Sequence, residues 1–339
     1  MTYPNKTKAV ILPSYNKNLI RALLSLKTEV IDLPAPKGSE LIVKVLATPC
    51  NPSDIAFLQG SYNVIKPLPA IPGFEAAGVV VAAGKSYETL INKNVSIFLQ
   101  DEEIGCWSEY ILVSGDNCIP VKPELDLMQA ATLSINPLTA LGMFEMVEKR
   151  NSKTIILNAA GGQVPELVRA MARLKDIQII NIFRKKSSAE NLSSVKTQIN
   201  LFSGEEDFEE KLIKACKGKT NITVLDAVGG SQSGILFNAL PEDSVQVVYG
   251  GLSNEAIGGV DTLAMIFNNK SITGFNLNHY VADLKASGNL LNVANRLQEM
   301  IIAGEIHTKI NGIFALEEVV KGIRTYIKNM SGGKVIFKP

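Results

Sequence analysis

Residues 153–186 read Lys153-Thr-Ile-Ile-Leu-Asn158, then Ala159-Ala-Gly-Gly-Gln-Val-Pro165, a helical run, Ile177-Gln-Ile-Ile-Asn-Ile-Phe183 and Arg184-Lys-Lys186. The apolar run Ile155 to Leu157 predicts a short buried strand. Val164, Leu167, Val168, Met171 and Leu174 recur at helical spacing, and Ile179 to Phe183 reads as a second buried strand. Strand, glycine turn, helix and strand form a βαβ unit of the length a dinucleotide site needs. Such a turn offers bare backbone N–H groups and a helix N-terminus to a pyrophosphate. Gly161, Gly162, Gln163 and Val164 are the residues placed to do so. The pattern is Ala159-x-x-Gly162-x-x-Pro165, with proline where the usual fingerprint has its third glycine. Proline suits the first helical position, where its missing N–H would be unpaired anyway. Its bulk predicts a helix set farther from the sheet or the phosphates. Taken alone, these residues also fit an ordinary βαβ turn that binds no nucleotide.

The end of the second strand bears on the cofactor. NAD sites place an acid there to hold the ribose 2′-hydroxyl, whereas NADP sites use cations for the 2′-phosphate. Here Arg184, Lys185 and Lys186 occupy that offset, and no acid follows until Glu190. Elsewhere such a charge run would be solvated surface; at this distance from a glycine turn it points to NADPH rather than NADH.

The chain has 339 residues, 46% of them hydrophobic, and balances 34 Lys+Arg against 33 Asp+Glu for a net charge of +1. The length suggests about two domains. Without a basic block interleaved with aromatics, neither nucleic acid nor a membrane surface is the expected partner. No apolar run approaches the roughly 18 residues of a membrane span, and residues 1–20 contain no long apolar core, so the cytoplasm is the expected compartment. Cys50, Cys106, Cys118 and Cys216 are too scattered for a disulfide frame or a zinc knuckle. With only His279 and His307 besides, no metal is expected.

Residues 1 to about 128 read as strand-rich. Short β-type runs fall at Ala9–Leu12, Leu41–Ala47, Ala77–Val81, Asn94–Leu99 and Trp107–Val113, punctuated by prolines, glycines and asparagines as in a small barrel. Helical spacing begins at Leu127–Leu133, and Asn136 opens another helix running towards Glu148. From Lys153 strands alternate with helices. Gln198–Phe202, Thr223–Leu225, Val245–Tyr249 and Ser271–Phe275 complete six strands, with helices such as Phe208–Ala215 and Asp261–Phe267 between them. This is the pattern of an α/β fold with a doubly wound parallel sheet. Leu290–Ile302 and Leu316–Lys328 read as amphipathic helices and Lys334–Phe337 as a terminal strand. The tail is expected to complete the first domain, being too small to stand alone.

Three segments are placed to carry chemistry. Tyr62 ends Gly60-Ser-Tyr62, where a phenol in a loop can donate to a carbonyl or simply cover a groove. Tyr249, Gly250, Gly251 and Leu252 follow the fifth strand at its C-terminal end, where ligands bind open α/β sheets. Phe275, Asn276, Leu277 and Asn278 hold the matching place after the sixth strand. Either could be a strand-ending turn; together they suggest a shared crevice.

The chain as a whole resembles the medium-chain dehydrogenase/reductase superfamily in its zinc-free branch, closest to quinone oxidoreductases and mitochondrial-type trans-2-enoyl thioester reductases. The resemblance runs through Asn51-Pro-Ser-Asp, Pro72-Gly-Phe-Glu-Ala-Ala-Gly78, Gly105-Cys-Trp107, Ala131-Thr-Leu-Ser-Ile-Asn-Pro-Leu-Thr-Ala140, Tyr249-Gly-Gly251 and Gly333-Lys-Val335. It implies a GroES-like catalytic domain at 1–128 and 279–339, a six-stranded Rossmann domain at 129–278, and a homodimer. Zinc-dependent relatives carry cysteine where Asn51 stands and histidine where Phe74 stands, so the resemblance agrees with a metal-free site. It further implies that Tyr62 polarises or protonates the substrate. Asn136 and Lys334 would contact the cofactor, residues 161–164 its pyrophosphate and 184–186 its 2′-phosphate. The segments 249–252 and 275–278 would flank the nicotinamide. Asn276, where enoyl thioester reductases usually have tryptophan, departs from that group, and Phe74 with Ala76 is closer to the quinone oxidoreductases. Contacts to coenzyme A or an acyl carrier therefore do not carry over.

The expected function is NADPH-dependent, metal-free hydride transfer to a small-molecule acceptor, a quinone or an electron-poor carbon–carbon double bond. Two alternatives are a 2-enoyl thioester reductase and an NADPH-binding protein without turnover.

Overall fold

The computed structural model of the chain describes residues 3–100, 103–189 and 198–339. Apolar runs interrupted by proline, glycine and asparagine give the first part its short strands: β1 (Lys6–Ile11), β2 (Lys27–Asp32), β3 (Glu40–Cys50), β4 (Glu75–Ala83), β5 (Asn94–Phe98), β6 (Tyr110–Ser114) and β7 (Cys118–Pro120). Helices α1 (Leu19–Ser25) and α2 (Pro52–Leu58) lie among them, and α3 (Leu127–Ala131) and α4 (Asn136–Lys149) follow. Strands and helices then alternate through β8 (Thr154–Leu157), α5 (Gln163–Leu174), β9 (Gln178–Phe183), β10 (Gln198–Phe202), α6 (Phe208–Cys216), β11 (Thr223–Asp226), α7 (Gly230–Ala239), β12 (Val245–Val248), α8 (Thr262–Phe267), β13 (Ser271–Gly274) and α9 (Leu277–Ala286). The chain closes with α10 (Leu290–Ile302), β14 (Ile310–Ala315), α11 (Val319–Lys328) and β15 (Lys334–Lys338).

Contacts divide it into two units, residues 1–138 with 284–339, and residues 139–283. These limits fall inside α4 and α9, ten and five residues beyond the limits of 128 and 278 that the resemblance implies. A continuous helix carries no sequence mark where its packing partners change.

The first unit is a seven-stranded sheet in the order β14-β15-β3-β4-β5-β7, with β6 also pairing β3. Leu41, Val43 and Val45 of β3 point inward with Val80, Val95, Ile97, Ile111 and Val113 to form its core. Every second residue of β3 faces this core because side chains alternate across a strand. Gly73 (φ +95°) brings the chain against the Trp107 ring, where a Cβ would lie 2.4 Å from an indole carbon. That approach sets the entry into β4 and the position of Glu75.

The second unit is a six-stranded sheet, all parallel, in the order β10-β9-β8-β11-β12-β13. Parallel strands covered on both faces read as continuous apolar runs, and Thr154–Leu157 is buried at every position. Ile156, Ile180, Ile182 and Val224 pack with Phe208, Leu212 and Leu236 into one core. The strand order reverses between β8 and β11, the point where open α/β sheets bind ligands.

Several expectations change. Pro165 is the third residue of α5, since Gly162 is the N-cap and Gln163 the first helical residue. It still breaks no helical hydrogen bond, because the N–H groups of the first turn have no intrahelical acceptor. Leu174, the last of the residues at helical spacing, is 54% exposed at the helix end. Pro52 and the Asn51–Asp54 capping box start α2, a helix not foreseen ahead of the Gly60-Ser-Tyr62 loop. Leu277 and Asn278 form the first turn of α9 rather than a strand-ending turn. The helix expected at Leu316–Lys328 is split, with a single 3₁₀ turn at Leu316–Glu318 before α11.

Candidate functional site

In the second unit the glycine turn links the end of β8 to α5. Ala159 (φ +45°) turns the chain, the Ala160 N–H donates to Ile182 O of β9 at 3.1 Å, and Gly162 N–H closes onto Ala159 O at 2.9 Å. Gly162 caps α5 without a side chain over the first turn. A dinucleotide pyrophosphate fits this arrangement, because backbone donors rather than side chains line the helix start. Beside it, β9 ends directly into Arg184, Lys185 and Lys186, all exposed. Lys186 pairs with Glu205 at 2.8 Å, which leaves Arg184 and Lys185 as the cations of this segment outside that pair. Glu190, the first acid after them, lies outside the described residues.

Where the strand order reverses, the buried Asp226 carboxylate ties the strand ends together. Its Oδ1 accepts from Asn158 Nδ2 (2.5 Å) and from the N–H groups of Val228 (2.8 Å) and Gly229 (3.2 Å). Its Oδ2 accepts from Gln246 Nε2 (2.8 Å) and from the Ser233 hydroxyl. Asn158 Oδ1 accepts in turn from Ala227 N–H at 2.7 Å. Five donors satisfy the buried carboxyl group and fix the ends of β8 and β11 to each other. The next strand ends follow from this anchor. Tyr249 N–H donates to Asp226 O and Leu252 N–H to Ala227 O, and Phe275 N–H donates to Val248 O. The structure thus brings residues 161–164, 184–186, 249–252 and 275–278 to the C-terminal ends of neighbouring strands. Burial and Asp226 push the Tyr249 phenol upward in pKa. The Phe275 ring packs on Tyr280 (5.7 Å between centroids) and on α4 at Gly142, where a Cβ would lie 2.8 Å from it.

The first unit holds a second cluster. Asn51 caps α2, its backbone N–H donating to Asp54 Oδ2 at 2.7 Å. Its side-chain Nδ2 donates to Glu75 Oε1 at 3.0 Å, and its Oδ1 accepts from the Lys334 ammonium. The other Glu75 oxygen accepts from Ser134 N–H (3.2 Å) and Ile135 N–H (2.9 Å). One carboxylate therefore fixes the two residues immediately before Asn136. Glu75 and Asp54 are fully buried and Lys334 is 1% exposed, so two acids share one cation. Burial raises Asp54 to about 7 although the Asn51 N–H opposes it, and its Oδ1 has no hydrogen-bond partner. Burial also raises Glu75, against the pull of Lys334, and lowers Lys334. The resemblance assigned Lys334 to the cofactor; in this structure its ammonium is held inside the cluster. Among the described residues no three His, Cys, Asp or Glu side chains group so as to hold a metal ion.

Tyr62 lies in the same unit, its ring 5.6 Å from that of Phe74, the residue before Glu75. Gln100 Nε2 donates to its phenolic oxygen. The loop beyond is pinned by Lys66, whose buried ammonium donates to Ile104 O (2.5 Å) and Leu99 O (3.3 Å) and lies 5.1 Å from the Phe74 ring centre. Sequence reading missed Gln100, Glu75, Asp226 and Arg169 as contributors. Glu75 and Arg169 did leave a signal, each being a charge set among residues otherwise fit for a core.

Residues 37–123 match the alcohol dehydrogenase GroES-like domain. Mitochondrial enoyl-[acyl-carrier-protein] reductases are similar over much of the chain. The Bos taurus protein is 32% identical over 263 residues (75% of this chain, 69% of the relative), and a Caenorhabditis elegans protein is 30% identical over 290 residues (83% and 82%). A Mesorhizobium loti structure provisionally assigned as an NADPH:quinone reductase superposes with a TM-score of 0.90 at 27% identity, covering 100% of both chains. An enoyl thioester reductase from Candida tropicalis shares the fold at a TM-score of 0.80 and 21% identity, covering 98% of this chain and 100% of that one. The chain belongs to the medium-chain dehydrogenase/reductase superfamily, in its zinc-free branch.

Proposed function

We propose that this protein is an NADPH-dependent reductase of electron-poor double bonds or quinones. The observation that carries the reading is a dinucleotide turn at 159–165 whose second strand ends in the exposed cations Arg184, Lys185 and Lys186. NADPH, when bound, supplies the hydride. Arg184 and Lys185 would hold its 2′-phosphate and the turn at 161–164 its pyrophosphate, with 249–252 and 275–278 alongside the nicotinamide and Asn136 a further contact. The names of the relatives support the cofactor, since one neighbouring structure is assigned to NADPH:quinone reductases and another is described as a complex with NADP and crotonyl-CoA.

The chemistry assigned to the chain's own residues is modest. Gln100 Nε2 meets the phenolic oxygen as a donor, and a phenol can both accept and donate. Tyr62 then donates to the acceptor's carbonyl oxygen, where negative charge gathers as the β-carbon receives hydride, and later supplies or relays the proton. Orientation of the acceptor accounts for much of the remainder.

Reduction of a 2-enoyl thioester is the second reading, favoured by the sequence relatives, which carry that activity in their names. Asn276 weighs against carrying over their thioester contacts. NADPH oxidation measured against a quinone, a simple enone and a 2-enoyl-CoA, with NADPH affinity titrated in parallel, separates the readings. Turnover of quinone or enone above the thioester supports the first, and the reverse order the second. Binding with no turnover on any acceptor would leave a cofactor-binding protein and overturn both.

A further inference from the structure

Arg169 lies on the inner face of α5, between the buried Val168 and Ala170, and is 5% exposed. Its Nη1 donates to the carbonyl of Ala160 at 2.7 Å and to Asn181 Oδ1 at 3.2 Å. Ala160 belongs to the glycine turn and Asn181 to β9. Both acceptors are neutral, and Asn181 passes its own Nδ2 on to Asn200 (2.9 Å) and Gln198 (3.2 Å) of β10, again neutral oxygens. Among the described residues no carboxylate forms an ion pair with Arg169; Glu166, one turn earlier, acts on it only through space. Burial lowers its pKa to about 10, so it remains a cation at neutral pH. A buried charge without a counter-charge is destabilising, and an apolar side chain would pack this position at less cost.

The geometry supplies a reason. In a trans peptide the C=O and the following N–H point in opposite directions. A carbonyl of Ala160 held towards Arg169 therefore turns the Gly161 N–H away from the interior of α5. It also removes an oxygen lone pair from the side on which an anion would approach. We propose that Arg169 is a positioning residue for the dinucleotide pyrophosphate, orienting the turn through Ala160 and supplying the positive charge that the bound phosphates offset. This rests on the reading of residues 159–165 as a dinucleotide turn. It differs from the role of Arg184, which concerns the 2′-phosphate alone.

The test compares Arg169→Gln, Arg169→Lys and Arg184→Ala with the parent, titrating NADPH and NADH and melting each protein without cofactor. Arg169→Gln should weaken both cofactors on the order of tenfold, the effect of one moderately screened charge. Its cofactor-free melting temperature should not fall below the parent's, because a buried unpaired charge has gone. Arg169→Lys should recover affinity that glutamine does not. Arg184→Ala should weaken NADPH and spare NADH. Parental affinity in Arg169→Gln would overturn the proposal, as would a loss of cofactor-free stability with lysine no better than glutamine. A parent that binds neither cofactor would instead overturn the dinucleotide reading on which the proposal stands.

Discussion

Tyr62 is the residue on which the proposed chemistry turns, and its surroundings make it testable. The ring is packed against Phe74 and the phenolic oxygen is met by Gln100. Phenylalanine at this position keeps the packing and removes only the donor. Loss of one oxyanion donor costs about 2.7–4 kcal/mol, so Tyr62→Phe should lower turnover on an enone by roughly a hundred- to a thousandfold. NADPH affinity should stay at the parental value, because the contacts proposed for the dinucleotide lie on other residues. Single-turnover kinetics on an enone and a quinone check this; turnover near parental on both would remove Tyr62 from the chemistry. At this scale the sequence was legible where a residue type alone carries meaning, as with Tyr62, the glycines and the cations after β9. Gln100 and Asp226 were not, because their roles depend on what folding sets opposite them. Arg169 stood in plain view within the Leu167–Met171 stripe, yet helical periodicity treats a charge there as a helix-edge residue until its exposure is known.

At the scale of elements, the cap of α2 joins local structure to electrostatics. Asp54 accepts the Asn51 N–H as a helix cap would, but it does so fully buried and where Glu75 shares the charge of Lys334. Burial lifts it from 3.8 to about 7, so between those pH values the folded chain binds a proton that the unfolded chain has released. The stability from this group is fully present below the lower value and is lost as pH rises through the upper, by about 1.4 kcal/mol per pH unit for one proton. Glu75, also raised by burial, acts in the same sense. Lys334, lowered by burial, acts in the opposite sense. Asp54→Asn keeps an acceptor for the Asn51 N–H and removes the titration. Denaturant unfolding at about pH 5 and about pH 8 should therefore show the variant gaining on the parent as pH rises. A parent-to-variant difference independent of pH would show that Asp54 does not titrate in this window. The elements themselves were largely legible where periodicity was strong, as in α10 and the six parallel strands. Two of those missed lack it: β2 is mostly exposed, and α7 begins Gly230-Ser-Gln-Ser-Gly with no apolar stripe.

For the molecule as a whole, the open question with the clearest physical handle is the second copy. The parallel sheet ends in β13, Ser271-Ile-Thr-Gly274, which pairs with β12 on one side and with no described strand on the other. Its residues are mostly exposed, and none is proline or charged, so it lacks the features that usually protect an edge from pairing. Just before it in sequence, Leu263, Ile266 and Phe267 of α8 are 63%, 64% and 76% exposed, and Leu252 and Ile257 add to the exposed apolar side chains of this segment. An exposed edge is self-complementary when two copies meet antiparallel about a two-fold axis, because each strand then offers the other its own row of donors and acceptors. A cluster of exposed apolar side chains such as that of α8 is a common mark of a partner surface. We therefore propose a homodimer formed through β13 and α8. Light scattering after size exclusion should give twice the mass of the 339-residue chain. Phe267→Asp, a change at a position that packs little within its own chain, should shift the protein towards monomer while leaving its circular dichroism unchanged. A parent that is monomeric at micromolar concentration would end this proposal. So would a dimer indifferent to Phe267→Asp and to a second charge at Ile266, since like charges facing each other across a two-fold axis would have to weaken it.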